Sequence, residues 1–208
     1  MIQTITKPLT FEEFLVWDDN SGRDFELIAG VAVPIAEPNA NHEDVADALC
    51  ISLLANCREN NLPYVPKRSK QVRLNTQPGE RERSRKPDIV VFAAKEWQRM
   101  KTISSPAAAY IPPPMVVEIV SGNWRDDYLT KLAEYEFLGI QEYWIVDYAA
   151  LGAIRYIGSP KKPTLSIYRL VESEYQIKQF RGEEQIESGL FLNLNLSAEQ
   201  IFAPGSYS

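Results

Sequence analysis

The chain has 208 residues, 45% of them hydrophobic and 24% charged, enough to close one sizeable core without a second domain. A formal net charge of -6 and a pI near 5.0 argue against general electrostatic capture of nucleic acid, so basic character has to be sought locally. Cys50 and Cys57 fall on one face of a helical pattern and read as small core residues in a reducing compartment. The first residues lack the basic-then-apolar order of a secretory signal, and no run approaches the length of a membrane span. A cytoplasmic protein with no membrane association is expected.

In chain order, Thr10 and Glu13 have the spacing of a capping box and open a short helix through Trp17, followed by a turn cluster over 18–22. Residues 25–35 read as a hairpin turning at Ala29-Gly30, with Glu26 on its first arm. After Asn41, the stripe of Val45, Leu49 and Leu53, widened by Ala46, Leu54 and Cys57, predicts a long helix ending near Asn60-Asn61. Residues 64–74 read as one strand and 75–86 as a polar loop. Across this region Lys67, Arg68, Lys70, Arg73, Arg81, Arg83, Arg85 and Lys86 outnumber the acids Glu80 and Glu82. That reversal in an acidic protein fits either a solvated loop or a surface contacting DNA phosphates.

Residues 87–92 form a short apolar strand opening on Pro87, with Asp88 as its only charge, and 95–110 read as an irregular connection. The stretch 112–148 is the organising element: a strand, a polar loop, an amphipathic helix and a second strand. Val116, Val117, Ile119 and Val120 make a continuous apolar run that suits a strand buried on both faces, and Glu118 stands in its middle. An ionised carboxylate in such a place needs a partner or a cation. Residues 124–139 have helical spacing, with Tyr128, Leu132, Tyr135 and Leu138 on one side and Gly139 as the stop. Lys131 projects close to that side. It either pairs on the surface with Asp127 and Glu134 or reaches over the sheet toward Glu118. Residues 153–157, 164–170, 175–180 and 185–191 then read as an antiparallel meander, and Ser197 with Gln200 announces a brief terminal helix. The chain thus divides, within one domain, into an N-terminal helix and hairpin (1–40), a core (41–148) and a C-terminal β meander with a short helix (149–208).

Two strand-borne carboxylates and a nearby lysine suit metal-assisted phosphodiester hydrolysis. Asp88 and Glu118, on consecutive predicted strands, would hold Mg²⁺ (or Mn²⁺) through oxygen donors, with Lys131 balancing charge. The lone histidine, His42, rules out a multi-histidine metal site. No nucleophile-elbow serine or phosphate-cradling glycine loop is present. A glycosidase using the same carboxylate pair is disfavoured, because nothing resembles sugar-stacking loops around the two acids.

PDIVVF at 87–92, VVEIVS at 116–121 and KLAEYEFLGIQEYWIVD at 131–147 resemble the Uma-two family of restriction-endonuclease-like proteins, within the PD-(D/E)XK nuclease superfamily. ELIAG at 26–30 and Asn41-His42 also match its amino-terminal pattern, so the resemblance covers roughly residues 8–180. It implies an α/β (α+β) fold with a restriction-endonuclease-like αβββαβ core and a mixed sheet, extended by the C-terminal antiparallel strands. It also implies a metal-dependent DNA endonuclease, a homodimer, and Asp88 and Glu118 as metal ligands. The chain departs from the superfamily pattern at Val120, where a lysine is expected; Lys131 is the position that would replace it from the following helix. Glu43 is the nearest match to a glutamate that some relatives take from the first core helix. The competing expectation is a nuclease-fold module that has lost turnover and binds nucleic acid or regulates a partner.

Overall fold

The computed structural model describes residues 7–74, 79–103 and 105–203. Helix α1 (Phe11–Leu15) opens with the predicted capping box: the Glu13 N–H donates to Thr10 Oγ1 at 3.1 Å, and the Thr10 N–H donates to the Glu13 carboxylate at 2.9 Å. Strands β1 (Phe25–Ile28) and β2 (Val31–Pro34) form the predicted hairpin. Its two-residue turn puts both Ala29 and Gly30 at positive φ, 50° and 78°, the twist-compatible turn for a tight antiparallel pair.

Helix α2 (Ala40–Glu59) is the long helix, but it starts two residues earlier than expected: Asn39, not Asn41, is the cap, accepting the His42 N–H at 3.0 Å. The expected single strand over 64–74 is two. Strand β3 (Tyr64–Arg68) and strand β4 (Val72–Leu74) are separated by a left-handed turn at Ser69, φ 50°, and belong to different sheets. The expected loop over 75–86 ends in a strand, β5 (Arg83–Arg85), which pairs with β1 and β4; residues 75–78 lie outside the described residues. Strand β6 (Ile89–Ala93) leads directly into α3 (Ala94–Met100), in place of an irregular connection. The polar face of that helix hides its register, while Met100 is buried and Trp97 packs on Phe92 at 5.1 Å.

Strand β7 (Met115–Ile119) is buried throughout. The segment after it is helical as predicted, but its first part, Asp126–Lys131, is a π-helix that continues into α4 (Leu132–Leu138). Gly139 closes the helix at φ 82°. Strand β8 (Glu142–Asp147) runs parallel to β7. Residues 154–157 form a short helix, α5 (Ile154–Ile157), in place of a strand, because Asp147 accepts the Leu151 and Gly152 N–H groups at 2.8 Å each and bends the chain back. Strands β9 (Thr164–Val171) and β10 (Glu174–Phe180) pair as the meander predicts. Residues 185–191 do not form its last strand: the Leu190 and Phe191 N–H groups turn inward to Ser188 Oγ, and only Gln185 makes a bridge, to Ser197. Helix α6 (Ala198–Phe202) carries the predicted terminal capping box.

The large sheet has the order β10-β9-β8-β7-β6-β3, antiparallel except at the central β7–β8 pair. Because side chains alternate along a strand, the sheet has two apolar faces. Ile89, Val91, Val117 and Ile119 pack with Val45, Leu49 and Leu53 of α2, whereas Val90, Val116 and Val120 pack with Tyr128, Tyr135 and Leu138 from the π-turn and α4. The small sheet, β2-β1-β5-β4, stands beside the second face, with Leu27 joining Phe11 and Phe14 of α1 in a satellite core.

Candidate functional site

At the end of β7 the second face opens into a cleft of about 830 Å³. The β1–β2 hairpin, the start of α2, the β5–β6 connection, the loop after β7 and the π-turn all line it. Asp24, Glu26, Glu37, Glu43, Asp88, Glu118, Asp126 and Asp127 face it against Arg85, Lys86 and Lys131. Such a cleft has a negative potential that draws cations and repels a bare phosphate.

Glu118 shares the face of Val116 and Val120, the side covered by α4. Asp88 stands one residue ahead of β6, and the antiparallel register that pairs Ile89 with Val117 carries it opposite Glu118. Its Oδ2 accepts the Ile119 N–H at 2.7 Å, which anchors the side chain to the neighbouring strand. Among the described residues no donor reaches its Oδ1. Glu118 is 3% exposed. Lys131 Nζ lies 2.9 Å from Glu118 Oε2 and 2.9 Å from Asp127 Oδ1, and the Tyr135 hydroxyl donates to Glu118 Oε1 at 2.8 Å. The π-turn makes this possible by bringing Asp127 and Lys131 to the same side, directly above the strand. Helices of this kind recur as single turns at functional sites.

Burial pushes the Glu118 carboxyl up to about 8 even with Lys131 pulling the other way, and the charges on Asp127 and Asp88 add to the push. Burial raises Asp127 likewise. For Lys131 burial works against the ammonium, but Glu118 and Asp127 outweigh it and hold the amine well above its ordinary value. The lysine therefore stays charged, while a proton competes with any cation for Glu118. The three groups titrate as a unit.

Glu43 lies at the rim, with Oε2 2.9 Å from Arg68 Nη2. Its neighbour His42 reaches further in: Nε2 is 3.0 Å from the Ile119 carbonyl oxygen and 3.4 Å from Asp88 Oδ2, and its buried Nδ1 has no hydrogen-bond partner among the described residues. Burial pulls the imidazole down, but hydrogen bonding to Asp88 and its charge leave a net upward shift.

The basic segment is arranged differently from the expectation of a phosphate-contacting loop. Arg85 is a buried strand residue, 5% exposed, whose guanidinium meets Glu26 at 2.8 Å, Glu134 at 2.6 Å and Asp126 at 3.2 Å. Arg83 also pairs with Glu134, Lys86 with Asp24, Arg73 with Glu82 and Glu12, and Arg68 with Glu43 and Asp47. Lys67 sits over the Trp97 ring at 4.9 Å; Lys70 is half-buried and Arg81 exposed. Arg68, Arg73, Arg83, Arg85 and Lys86 are thus engaged in ion pairs within the fold, and Arg83 and Arg85 tie the small sheet to the helix that carries Lys131. Glu134, expected beside Lys131, belongs to this network instead.

The structure brings Asp88, Glu118 and Lys131 into one cleft, with Glu43 at its edge. Asp127, Tyr135 and Glu26 were not singled out as site residues. The i, i+4 spacing marks Asp127 as an ion partner of Lys131, and the structure makes that pair, buried in the cleft rather than on the surface. Tyr135 is visible only as part of the apolar stripe, and Glu26 only as a charge on a hairpin arm that fold-level contacts swing into the cleft.

The αβββαβ order, the mixed sheet and the acids at the mouth of its central strands define a restriction-endonuclease-like fold. The Uma2 family model, described as "Putative restriction endonuclease", matches residues 11–199, and the chain belongs to that family. Among solved structures, one described as a putative nuclease belonging to DUF820 from Anabaena variabilis superposes with a TM-score of 0.70 at 18% identity. The match covers 94% of this chain and 98% of that one, and at this identity it speaks for the fold. No curated protein matches the sequence.

Proposed function

We propose that the protein is a metal-dependent endonuclease that hydrolyses DNA phosphodiester bonds, with Asp88 and Glu118 as ligands to Mg²⁺ or Mn²⁺. The observation that carries this reading is the meeting of two carboxylates from adjacent strands with one charged lysine in an acid-lined cleft. The donor set fits a hard cation: carboxylate oxygens of Asp88 and Glu118, with the Ile119 carbonyl beside them. Among the described residues no group of three or more His, Cys, Asp or Glu side chains is placed to hold a metal ion by itself. A two-carboxylate arrangement suits Mg²⁺, which keeps several waters.

When bound, the cation supplies Lewis-acid polarisation of the phosphate and a water of lowered pKa. The chain's own residues do the rest. The Ile119 N–H fixes the Asp88 carboxylate, and Tyr135 fixes Glu118. Lys131, kept charged by two acids, offers a preorganised positive group to the charge that develops on the phosphate. Two active centres in a homodimer, as double-strand cutting requires, belong to the same reading.

A second reading, a module that keeps the fold without turnover, draws on the ion pairing of Arg73, Arg83, Arg85 and Lys86, which leaves those side chains engaged within the fold. Plasmid nicking with Mg²⁺, Mn²⁺ or EDTA separates the two. The nuclease reading expects metal-dependent cleavage that Asp88→Ala, Glu118→Ala and Lys131→Ala each abolish. Cleavage that all three variants retain would remove this site, and metal binding without cleavage of any substrate would favour the second reading.

A further inference from the structure

The loop that leaves the cleft carries a second feature that the nuclease chemistry does not use. Asn123 lines the cleft, and the next two residues, Trp124 and Arg125, stack on each other with the guanidinium carbon 4.6 Å from the ring centroid. Across from them Arg155 lies over Tyr156 at the same distance, and the Trp124 and Tyr156 rings are 6.1 Å apart. Arg125 and Arg155 are exposed, and among the described residues neither makes an ion pair, in contrast to the arginines of the small sheet. Exposed Lys161 and Lys162 follow in the same chain segment, Lys161 reaching the Leu151 carbonyl at 3.3 Å.

This surface is built. Tyr156 stacks on the buried Tyr128 ring at 4.6 Å and 16°, and Tyr128 belongs to the π-turn that carries Lys131. Helix α5, which carries Arg155 and Tyr156, is placed by the two N–H groups that Asp147 accepts. The turn fits closely: a Cβ added at Gly152 would stand 2.9 Å from Asp147 Oδ2 and 3.2 Å from the Tyr128 ring. Position and charge are therefore tied to the cleft through one rigid set of aromatic contacts.

We infer that Trp124 and Tyr156, each carrying an arginine, form a stacking platform for unpaired nucleotides of a nucleic-acid strand at the rim of the cleft. The exposed guanidinium planes, backed by the rings they lie on, take the faces of splayed bases, and Lys161 and Lys162 take the phosphates between them; the Tyr156 ring itself is covered by Tyr128 on one face and Arg155 on the other. Duplex bases hide those faces, so the platform selects a single strand. Charge complementarity is local: these cations stand outside the acid-lined cleft, whose own potential repels a backbone. The strand's onward path to Asp88 and Glu118 rests on the nuclease reading; its binding on the platform does not.

The test is fluorescence anisotropy of a labelled oligothymidylate, its RNA counterpart and a DNA duplex, with the full chain in EDTA so that nothing is cut. The inference expects single strands to bind more tightly than duplex, with Trp124→Ala and Arg125→Ala each weakening them about tenfold while Trp124→Phe retains most of the affinity. The DNA and RNA arms show which sugar the platform takes. Thermal unfolding of each variant guards against misfolding, and Arg125→Ala, on an exposed side chain, keeps the test open if Trp124→Ala fails to fold. Single-strand affinity unchanged in Arg125→Ala and Trp124→Ala overturns the platform even if the parent cleaves DNA. Absence of single-strand binding by the parent, or a preference for duplex, overturns it as well. Loss of binding in these variants upholds it even if the parent cuts nothing, in which case the nuclease reading alone falls.

Discussion

Lys131 Nζ lies 2.9 Å from Glu118 Oε2, although the two residues sit on different elements, one on a buried strand and the other at the end of a π-turn. Val120 points its side chain into the apolar face with Tyr128 and Tyr135, and the amine that meets Glu118 comes from the helix above. The same contact makes Lys131 a structural partner as well as a candidate catalytic group.

Removing that amine leaves Glu118 and Asp127 buried without a counter-charge. Lys131→Met is expected to lower unfolding free energy by about 3 kcal/mol above the Glu118 transition, the cost of breaking a buried pair from one side. Adding Glu118→Gln to that variant should recover part of the loss, because the orphaned carboxylate is gone. Urea denaturation of the two variants measures this; additive losses would mean that the two groups do not interact.

The metal-free protein should lose stability as pH rises from the ordinary carboxyl value of 4.5 toward about 8. Across that window folded Glu118 holds a proton that the unfolded chain has released, so the folded state binds more protons and unfolding becomes easier with each step up. Glu118→Gln is expected to show a shallower decline than the parent over the same range, in EDTA. Parallel curves for the two proteins would contradict the buried, proton-retaining carboxyl.

Arg85 joins β5 to β1, the π-turn and α4 through three acids. Arg85→Ala is expected to destabilise by about 3 kcal/mol or more, since Glu26, Asp126 and Glu134 lose their shared partner. Arg85→Lys should rescue only partly, because a point charge cannot reproduce a planar fork between three carboxylates. Thermal unfolding measures both. A neutral Arg85→Ala would contradict a shared dependence of Glu26, Asp126 and Glu134 on this guanidinium.

The central strands were legible because their apolar runs have no helical alternative, and Glu118 stood out against them as a charge. Lys131 was legible from helical spacing, since a π-turn and an α-turn put nearby residues on much the same side. What stayed hidden depends on contacts distant in sequence. Ser69 breaks a strand at a left-handed position that no glycine marks. Residues 83–85 read as loop because their strand is set by pairing with β1 and β4 and by acids up to 59 positions away. The segment 185–191 has a strand's composition, yet Ser188 captures its N–H groups while its hydroxyl donates to buried Glu142 at 2.7 Å. Tyr135 carried only the signal of an apolar stripe, and its hydroxyl finds Glu118 solely through the packing of α4 on the sheet.

Calorimetric titration of Mn²⁺ into the parent, Asp88→Asn and Glu118→Gln tests the central claim most directly, since it needs neither a substrate nor turnover. The account predicts a saturable site in the parent that each single substitution weakens by at least about tenfold, because each removes a charged oxygen ligand. Equal binding in all three proteins would contradict it.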